Sequence, residues 1–517
     1  MRTRHTTIVS LGILIAAGFW QMAGCSAAAD DCSRNNICTE DGKPFGSVLE
    51  PPPGCAASPS KDVTVLRDEC GVFVSNTVTG SGAAGSSANP FKTIDEAVKE
   101  ATNRTARVYV CADGDYKERL DIPAGISVFG GLDCAGGTWR YGGATKSRIN
   151  PAAPDTADGL QASVRIAGDK ASSFEDFEVL AANAKVPGGS SIAIIVDRAT
   201  VDFVRTEITA GDGAVGDQGA TPTDDIGPEE NPDDPAIRGN NGQNACMGGA
   251  SGNPGGAAKA NTFCTESSGG KGGNGQETSG DAGGDGIPAP NPNPSNKGVG
   301  GLGDSGQGCD TGEAGATGAD GTDGAGAVED GTLDATKGYI GASGQPGTKG
   351  AVGQGGGGGG GARGKSGCFG ASGGGGGAGG CGGNGGLGGR AGGSSIAIVS
   401  LGATLSFDTV DITTSNGGNG GAGGFGQAGG IGGNPGNGGA GATMGGATPK
   451  ACNGGPGGSG GLGGTGGGGR GGHSIGIAHK GGNVSEMGVT IAPGTPGGAG
   501  AGGGAVEGVV APMHVFP

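Results

Sequence analysis

The chain has 517 residues, of which 131 are glycine and only 4% aromatic, so a conventional hydrophobic core cannot run through all of it. Acidic residues outnumber basic ones by 49 to 32, which argues against nucleic acid or an anionic membrane face as electrostatic partner. Past the N-terminal apolar run, no stretch is long and apolar enough to read as a membrane span.

Arg2, Arg4 and His5 precede an apolar run from Ile8 to Trp20, too short for an ordinary span and ordered as in an export signal. The following Met22-Ala23-Gly24-Cys25 resembles the bacterial lipobox, where small residues admit a signal peptidase and the cysteine thiol receives lipid. This implies a signal peptide over 1–24, lipidation of Cys25, and an exported protein held to a membrane by a lipid anchor. Ser26, in place of an acidic residue, resembles the pattern of lipoproteins passed to the outer membrane, on its surface or its periplasmic face. Of thirteen cysteines, all but Cys25 form an even set: Cys32, Cys38, Cys55, Cys70, Cys111, Cys134, Cys246, Cys264, Cys309, Cys368, Cys381 and Cys452. They make no CxxC pair and have no histidine at ligand spacing, so disulfides in an oxidising compartment fit better than zinc. Local pairing would join Cys32 to Cys38, Cys55 to Cys70 and Cys246 to Cys264.

Residues 25–60 read as a tether, with Pro51-Pro52-Pro53 discouraging regular structure. A folded region follows over 61–208. Val72-Phe73-Val74 is β-like; then Asn89-Pro90-Phe91-Lys92-Thr93 leads into a helix whose Ile94, Ala97, Val98 and Ala101 form a buried stripe, with Thr93 as cap. Arg107-Val108-Tyr109-Val110-Cys111, Gly114-Asp115-Tyr116-Lys117-Glu118 and Ile126-Ser127-Val128-Phe129-Gly130-Gly131 come next. The ordered set resembles the opening of right-handed parallel β-helix proteins of the pectate-lyase-like superfamily. It implies an all-β fold: a right-handed parallel β-helix, or solenoid, with an N-terminal capping helix.

An internal repeat points the same way. Ser191 to Ile208, Ser395 to Ile412 and Ser474 to Ile491 align without a gap. Isoleucines at 192 and 194, 396 and 398, and 475 and 477 have the period-two spacing that puts both on one strand face. Units this small must stack to bury that face. The rungs at 392–412 and 471–517, the latter with a C-terminal cap, are set apart by glycine-rich insertions at 209–391 and 413–470. Their Gly-Gly-X phrasing, in a polyproline II helix, leaves glycine edges where backbones could approach; a disordered loop is the alternative, given glycine's entropy. The phrasing resembles the glycine-rich repeats of mycobacterial surface proteins in composition only. Glycine at every third position from Gly312 to Gly324 suggests collagen, but proline is scarce and the register breaks.

Apparent catalytic motifs fail on inspection. Gly359 to Ser366 satisfies the GxxxxGK[ST] phosphate-loop pattern, yet polyglycine makes the match cheap and no strand precedes it. His473 and His479 read as solvated turn residues. Asp224, Asp225, Glu229, Glu230, Asp233 and Asp234 read as a charged loop rather than a calcium site, because Pro228 and Pro232 break the ligand spacing. Asp197, Arg198, Asp202, Arg205 and Glu207 supply acid–base groups, but Leu401, Gly402, Ser406, Thr409 and Asp411 fill the same rows in the next unit, so no constellation repeats. The expectation is a protein without catalytic residue, cofactor or metal: a surface scaffold or adhesin-like module whose partners are a membrane, through its lipid, and cell-surface polysaccharide or other envelope proteins. A polysaccharide-binding or lyase-type enzyme is the alternative.

Overall fold

The computed structural model describes residues 51–247, 251–290, 292–443 and 447–517, and its strands follow the apolar alternation. One eight-stranded sheet runs through Val72–Val74, Arg107–Cys111, Ser127–Asp133, Ala171–Glu175, Thr200–Val204, Thr404–Asp408 and Asn483–Val484, with Arg140–Tyr141 beside the third of these. A six-stranded sheet runs from Asp115–Tyr116 through Ser147–Ile149, Phe177–Ala181, Glu207–Ala210 and Val410–Thr414 to Val489–Ala492. A second six-stranded sheet takes Leu120–Pro123, Val164–Ala167, Ser191–Asp197, Ser395–Leu401, Ser474–Lys480 and Val510–Val515. The expected single continuous parallel β-helix is therefore corrected: the strands lie in three separate parallel sheets, and the glycine-rich stretches do not continue them. Two physical causes act. Left-handed residues end strands at the junctions, Asp176 at φ 62°, Arg205 at φ 48° and Thr409 at φ 60°. Glycine, lacking side chains, cannot extend an apolar ladder from one layer to the next.

Aromatic and aliphatic ladders fill the space between the sheets. Phe174, Phe203 and Phe407 are paired in register, their rings 5.9 and 5.8 Å apart, and Ile149, Val179, Ile208, Ile412 and Ile491 form a second column. Each fully buried side chain of this kind contributes roughly 1.5–3 kcal/mol. The helix Ile94–Asn103 buries Ile94, Ala97, Val98 and Ala101; Thr93 Oγ1 accepts the Glu96 N–H, and the Glu118 carboxylate accepts those of Ile94 and Asp95. Residues 51–60 are packed too: Cys55 is buried and the Arg107 guanidinium donates to the Ala56 and Ala57 carbonyls.

The aligned repeats pair residue for residue, Ser191 with Ser395 and Ser395 with Ser474. Their isoleucines divide differently from the period-two expectation. Ladder pairing omits Ala193, Ala397 and Gly476, so Ile194, Ile398 and Ile477 face the main core while Ile192, Ile396 and Ile475 join a second cluster with Tyr339 and Phe516. Both faces of this sheet are covered. The repeated serine braces the chain where it leaves the strands. The hydroxyls of Ser191, Ser395 and Ser474 accept the N–H groups of Gly211, Ser415 and Gly494 at those exits.

Beyond those exits the glycine-rich chain is ordered by backbone hydrogen bonds with a three-residue period, that of polyproline II. Gly344, Gly347, Gly350 and Gly353 donate to the carbonyls of Gly389, Gly386, Gly383 and Gly380. The residues one step along, Gln345, Thr348 and Ala351, donate to Ala325, Thr322 and Ala319; Gly355, Gly358 and Gly361 donate to Ile287, Gly284 and Asp281. Successive residues thus bond three different neighbours, which satisfies the N–H groups of a helix that makes no internal bonds.

Glycine density follows the number of neighbours. A Cβ on Gly355, Gly356, Gly357 or Gly358 would lie 2.0 Å from a carbonyl oxygen of one of three segments: Ser268 and Lys271 on the first, Gly455 on the second and Val299 on the third. The unbroken polyglycine tract therefore marks the enclosed centre, where residues 353–362 are all buried. Gly-Gly-X marks segments with one open edge, and the every-third glycines Gly312, Gly315, Gly318, Gly321 and Gly324 mark a rim segment.

Neighbours that run parallel share a second device. Gly321 donates to the Leu462 carbonyl while the Leu462 N–H bonds Asp320 Oδ1; Gly324, Thr465 and Asp323 repeat it, as do Gly213, Asn416 and Asp212, and Gly420, Gly498 and Asn419. Asx-Gly is thus a two-point clip.

Two substitutions test this packing in urea unfolding of the full chain. Gly380→Ala, whose Cβ would meet Gly430 O at 1.9 Å, should cost about 3 kcal/mol or more, whereas Leu462→Ala, at a half-exposed position, should cost far less. Asp320→Ala should lose about 1 kcal/mol, and Asp320→Asn, which keeps the acceptor oxygen, should retain nearly all of it.

Candidate functional sites

Cys25, Cys32 and Cys38 lie outside the described residues. The other ten cysteines form five disulfides. Cys55 pairs with Cys70 and Cys111 with Cys134, both in the sheet region. The local pairing of Cys246 with Cys264 is corrected: Cys246 joins Cys368, Cys264 joins Cys381, and Cys309 joins Cys452, at separations of 122, 117 and 143 residues. Lateral stacking of long extended segments, not sequence proximity, decides which thiols meet. Cys111, Asp113 and Cys134 lie close enough to suggest a metal site, but the sulfurs are bonded to each other. The Asp113 carboxylate is held below the ordinary range: hydrogen bonds from Ser75, Asn76 and Thr77 outweigh the opposing effect of its burial. It organises a turn.

Arg205 draws buried carboxylates into a cluster. Its guanidinium bonds Asp176 at 2.8 and 2.7 Å and Glu175 at 3.1 Å, Tyr141 donates to Asp176, and Ser58 donates to Glu175 at 2.6 Å. Both carboxylates are buried. The arginine fork engages both carboxylates, and through Ser58 the cluster fastens residues 51–60 to the sheet and offsets the strain of left-handed Asp176 and Arg205. The other acid–base candidates are scattered. Asp197 faces Arg165 and Arg198, Asp202 accepts the Ser406 hydroxyl, and Glu207 pairs with Lys146.

In the acidic stretch, Asp225 and Asp234 accept N–H groups two residues ahead, Asp224 binds the Asn384 amide and Asp233 faces Arg238. These oxygens shape a loop. In the phosphate-loop lookalike, the N–H groups of Gly359, Gly360, Gly361, Ala362, Gly364 and Lys365 already donate to protein carbonyls, so they are not free to cradle a phosphate.

The sequence reading missed a cluster around His473. It is not a solvated turn residue: it is fully buried. Its Nδ1 accepts the Val509 N–H at 2.7 Å, which places the proton on Nε2, 2.8 Å from the Asp330 carbonyl. Tyr339 donates to that same carbonyl, while the Asp330 carboxylate meets Arg470 at 2.8 Å and His514 at 3.0 Å. His479 is half-buried. The cluster joins the hairpin Thr332–Ile340, the strand Ser474–Lys480 and the last strand, and Phe516 packs on both imidazoles. Scarcity was the only signal available: the chain has four histidines. With its imidazole enclosed on all sides, His473 serves to lock the C-terminal segment.

No family model matches the chain, and the search of curated proteins finds no similar one.

Burial, opposed by the Asp330 carbonyl, pushes the His473 pKa down to about 4. The unfolded chain protonates this histidine near pH 6.5, so its contribution to stability is complete above that pH and is lost as pH falls toward 4. The loss should reach about 3 kcal/mol. Urea midpoints of the native chain and His473→Asn, compared from pH 7.5 to 4, should converge as pH falls; parallel curves would contradict the assignment.

Proposed function

We propose that the chain is an exported, lipid-anchored envelope protein acting as a non-catalytic display scaffold or adhesin-like module. The observation that carries this reading is the glycine bundle: extended segments cross-linked by hydrogen bonds in three directions and by the disulfides Cys246–Cys368, Cys264–Cys381 and Cys309–Cys452. Such a body holds its far loops rigidly. The turn at 363–369, Cys246 and the segment before Asp310 meet at one end, tied by Cys246–Cys368, by the Arg363–Asp304 pair and by a bond from Gly367 N–H to Glu277. Closing loops of over a hundred residues stabilises by about 4–5 kcal/mol each in the chain-entropy account, which suits a protein built outside the reducing cytoplasm. The lipobox-like Cys25 supports the anchor, and the engagement of Glu175, Asp176 and Asp113 by fixed partners supports a non-catalytic role. An outer-membrane location at the cell surface, with polysaccharide or envelope-protein partners, follows from the same reading.

Cys25→Ala should abolish incorporation of labelled fatty acid and move the protein from the membrane to the soluble fraction. Protease treatment of intact cells should release fragments from residues 209–470 that separate only after reduction. A wild-type protein that carries no lipid, or that is fully protected from protease, would sink the anchored-surface reading.

A further inference from the structure

We infer that a cleft between the sheets and the near end of the glycine bundle binds a small oxyanion. The cleft has a volume of about 220 Å³ and lies between Ala157 and Gln161, residues 186–190, the stretch from Lys337 to Ser343, and residues 390–391. It is smaller than the roughly 300–1,000 Å³ typical of drug-sized ligands, so it suits a ligand of about one ring.

Its chemistry is cationic and donor-rich. Lys337 and Arg390 stand on the lining, and no lining residue is acidic, in a chain where acids outnumber bases by 49 to 32. Among the described residues, the Lys337 ammonium has no hydrogen-bonded partner; Asp334 acts on it only through space. Arg390 faces Asp217 at 3.6 Å, both side chains more than half exposed, and such a pair is worth little; the guanidinium can turn its fork to an incoming anion. Two hydroxyls complete the set. Ser190 Oγ accepts the Ser394 N–H at 2.9 Å and Ser343 Oγ accepts the Ala391 N–H at 3.4 Å, so each keeps its own proton to donate.

The shared chemistry is a group with two or more anionic oxygens, either a carboxylate or a phosphate. The site requires no lipid anchor and stands apart from the scaffold reading.

The test is calorimetric titration of the full chain with inorganic phosphate and, separately, malonate. One saturable site is expected, weakening as sodium chloride is raised. Lys337→Gln should lower affinity at least fivefold, the double variant Lys337→Gln/Arg390→Gln should abolish binding, and Lys99→Gln, on the helix Ile94–Asn103, should leave it unchanged. Lys337 holds no structural bond through its side chain, so its variant keeps the test readable if the arginine change disturbs folding. Tighter phosphate binding assigns a phosphorylated ligand, and tighter malonate binding a carboxylate. No saturable binding of either probe, or equal affinity in the native chain and Lys337→Gln, overturns the inference.

Discussion

Everything distinctive about this chain depends on how closely two backbones can approach when neither carries a Cβ. At Gly356 the nearest neighbour carbonyl would lie 2.0 Å from an added Cβ, so any other residue would have to push a segment aside. The closeness is what lets each N–H reach a carbonyl on another chain segment, and it sets a steep entropic cost, because glycine loses the most freedom on ordering. Few buried side chains offset that cost at the centre of the bundle. The offset comes from a backbone hydrogen-bond network made in three directions and from disulfides that restrict the unfolded chain. The three longest bridges lie in this region, where the unfolded chain has most freedom to lose.

The sheets solve a second problem, that of register. A glycine segment has no side chains with which to choose one three-residue step over another. Each of the repeated strands enters from the bundle and fixes its neighbour by an apolar ladder: Gly393, Ser394 and Ser395 lead into Ile396, which pairs with Ile192 and Ile475. The serine at the start of each strand then binds the N–H twenty residues on, at Gly211, Ser415 or Gly494. Phase set by isoleucine burial is thereby handed to the glycine segments. The Asx-Gly clips hold that phase along parallel neighbours, because a shift of one residue would pull Asp320 and Asp323 from the Leu462 and Thr465 amides together.

How much of this could be read from the sequence depends on the range of the interaction. The Thr93-capped helix and Cys55–Cys70 are local patterns and are present as read, and the repeated strands pair as aligned, though their isoleucines divide between two faces instead of sharing one. The separation into three sheets turns on left-handed Asp176, Arg205 and Thr409, and nothing in these residue types announces that conformation. The long disulfides depend on which segments stack, information spread over the entire bundle. His473 is the plainest miss: its partners Asp330, Tyr339 and Val509 lie on other segments, and glycine-rich flanks make it look like a turn. Polyglycine, GGX and GXX were visible as three phrasings, but their meaning as three, two and one crowded edges needed the packing.

The same packing changes what the acidity means. A net charge of −17 invites a search for cation sites or for repulsion that aids solubility. Many of the carboxylates are instead hydrogen-bond acceptors at fixed addresses: Asp212, Asp320 and Asp323 clip parallel segments, Asp285 takes the Gly300 N–H, and Asp304 takes those of Gly306 and Gly308. Asparagine does equivalent work at Asn241, Asn244 and Asn419, so at these positions the side-chain oxygen matters and the charge is incidental. Along the glycine segments the acidity is thus a by-product of holding phase: the oxygens that carry the charge are the ones that accept the neighbouring N–H groups and fix the three-residue step.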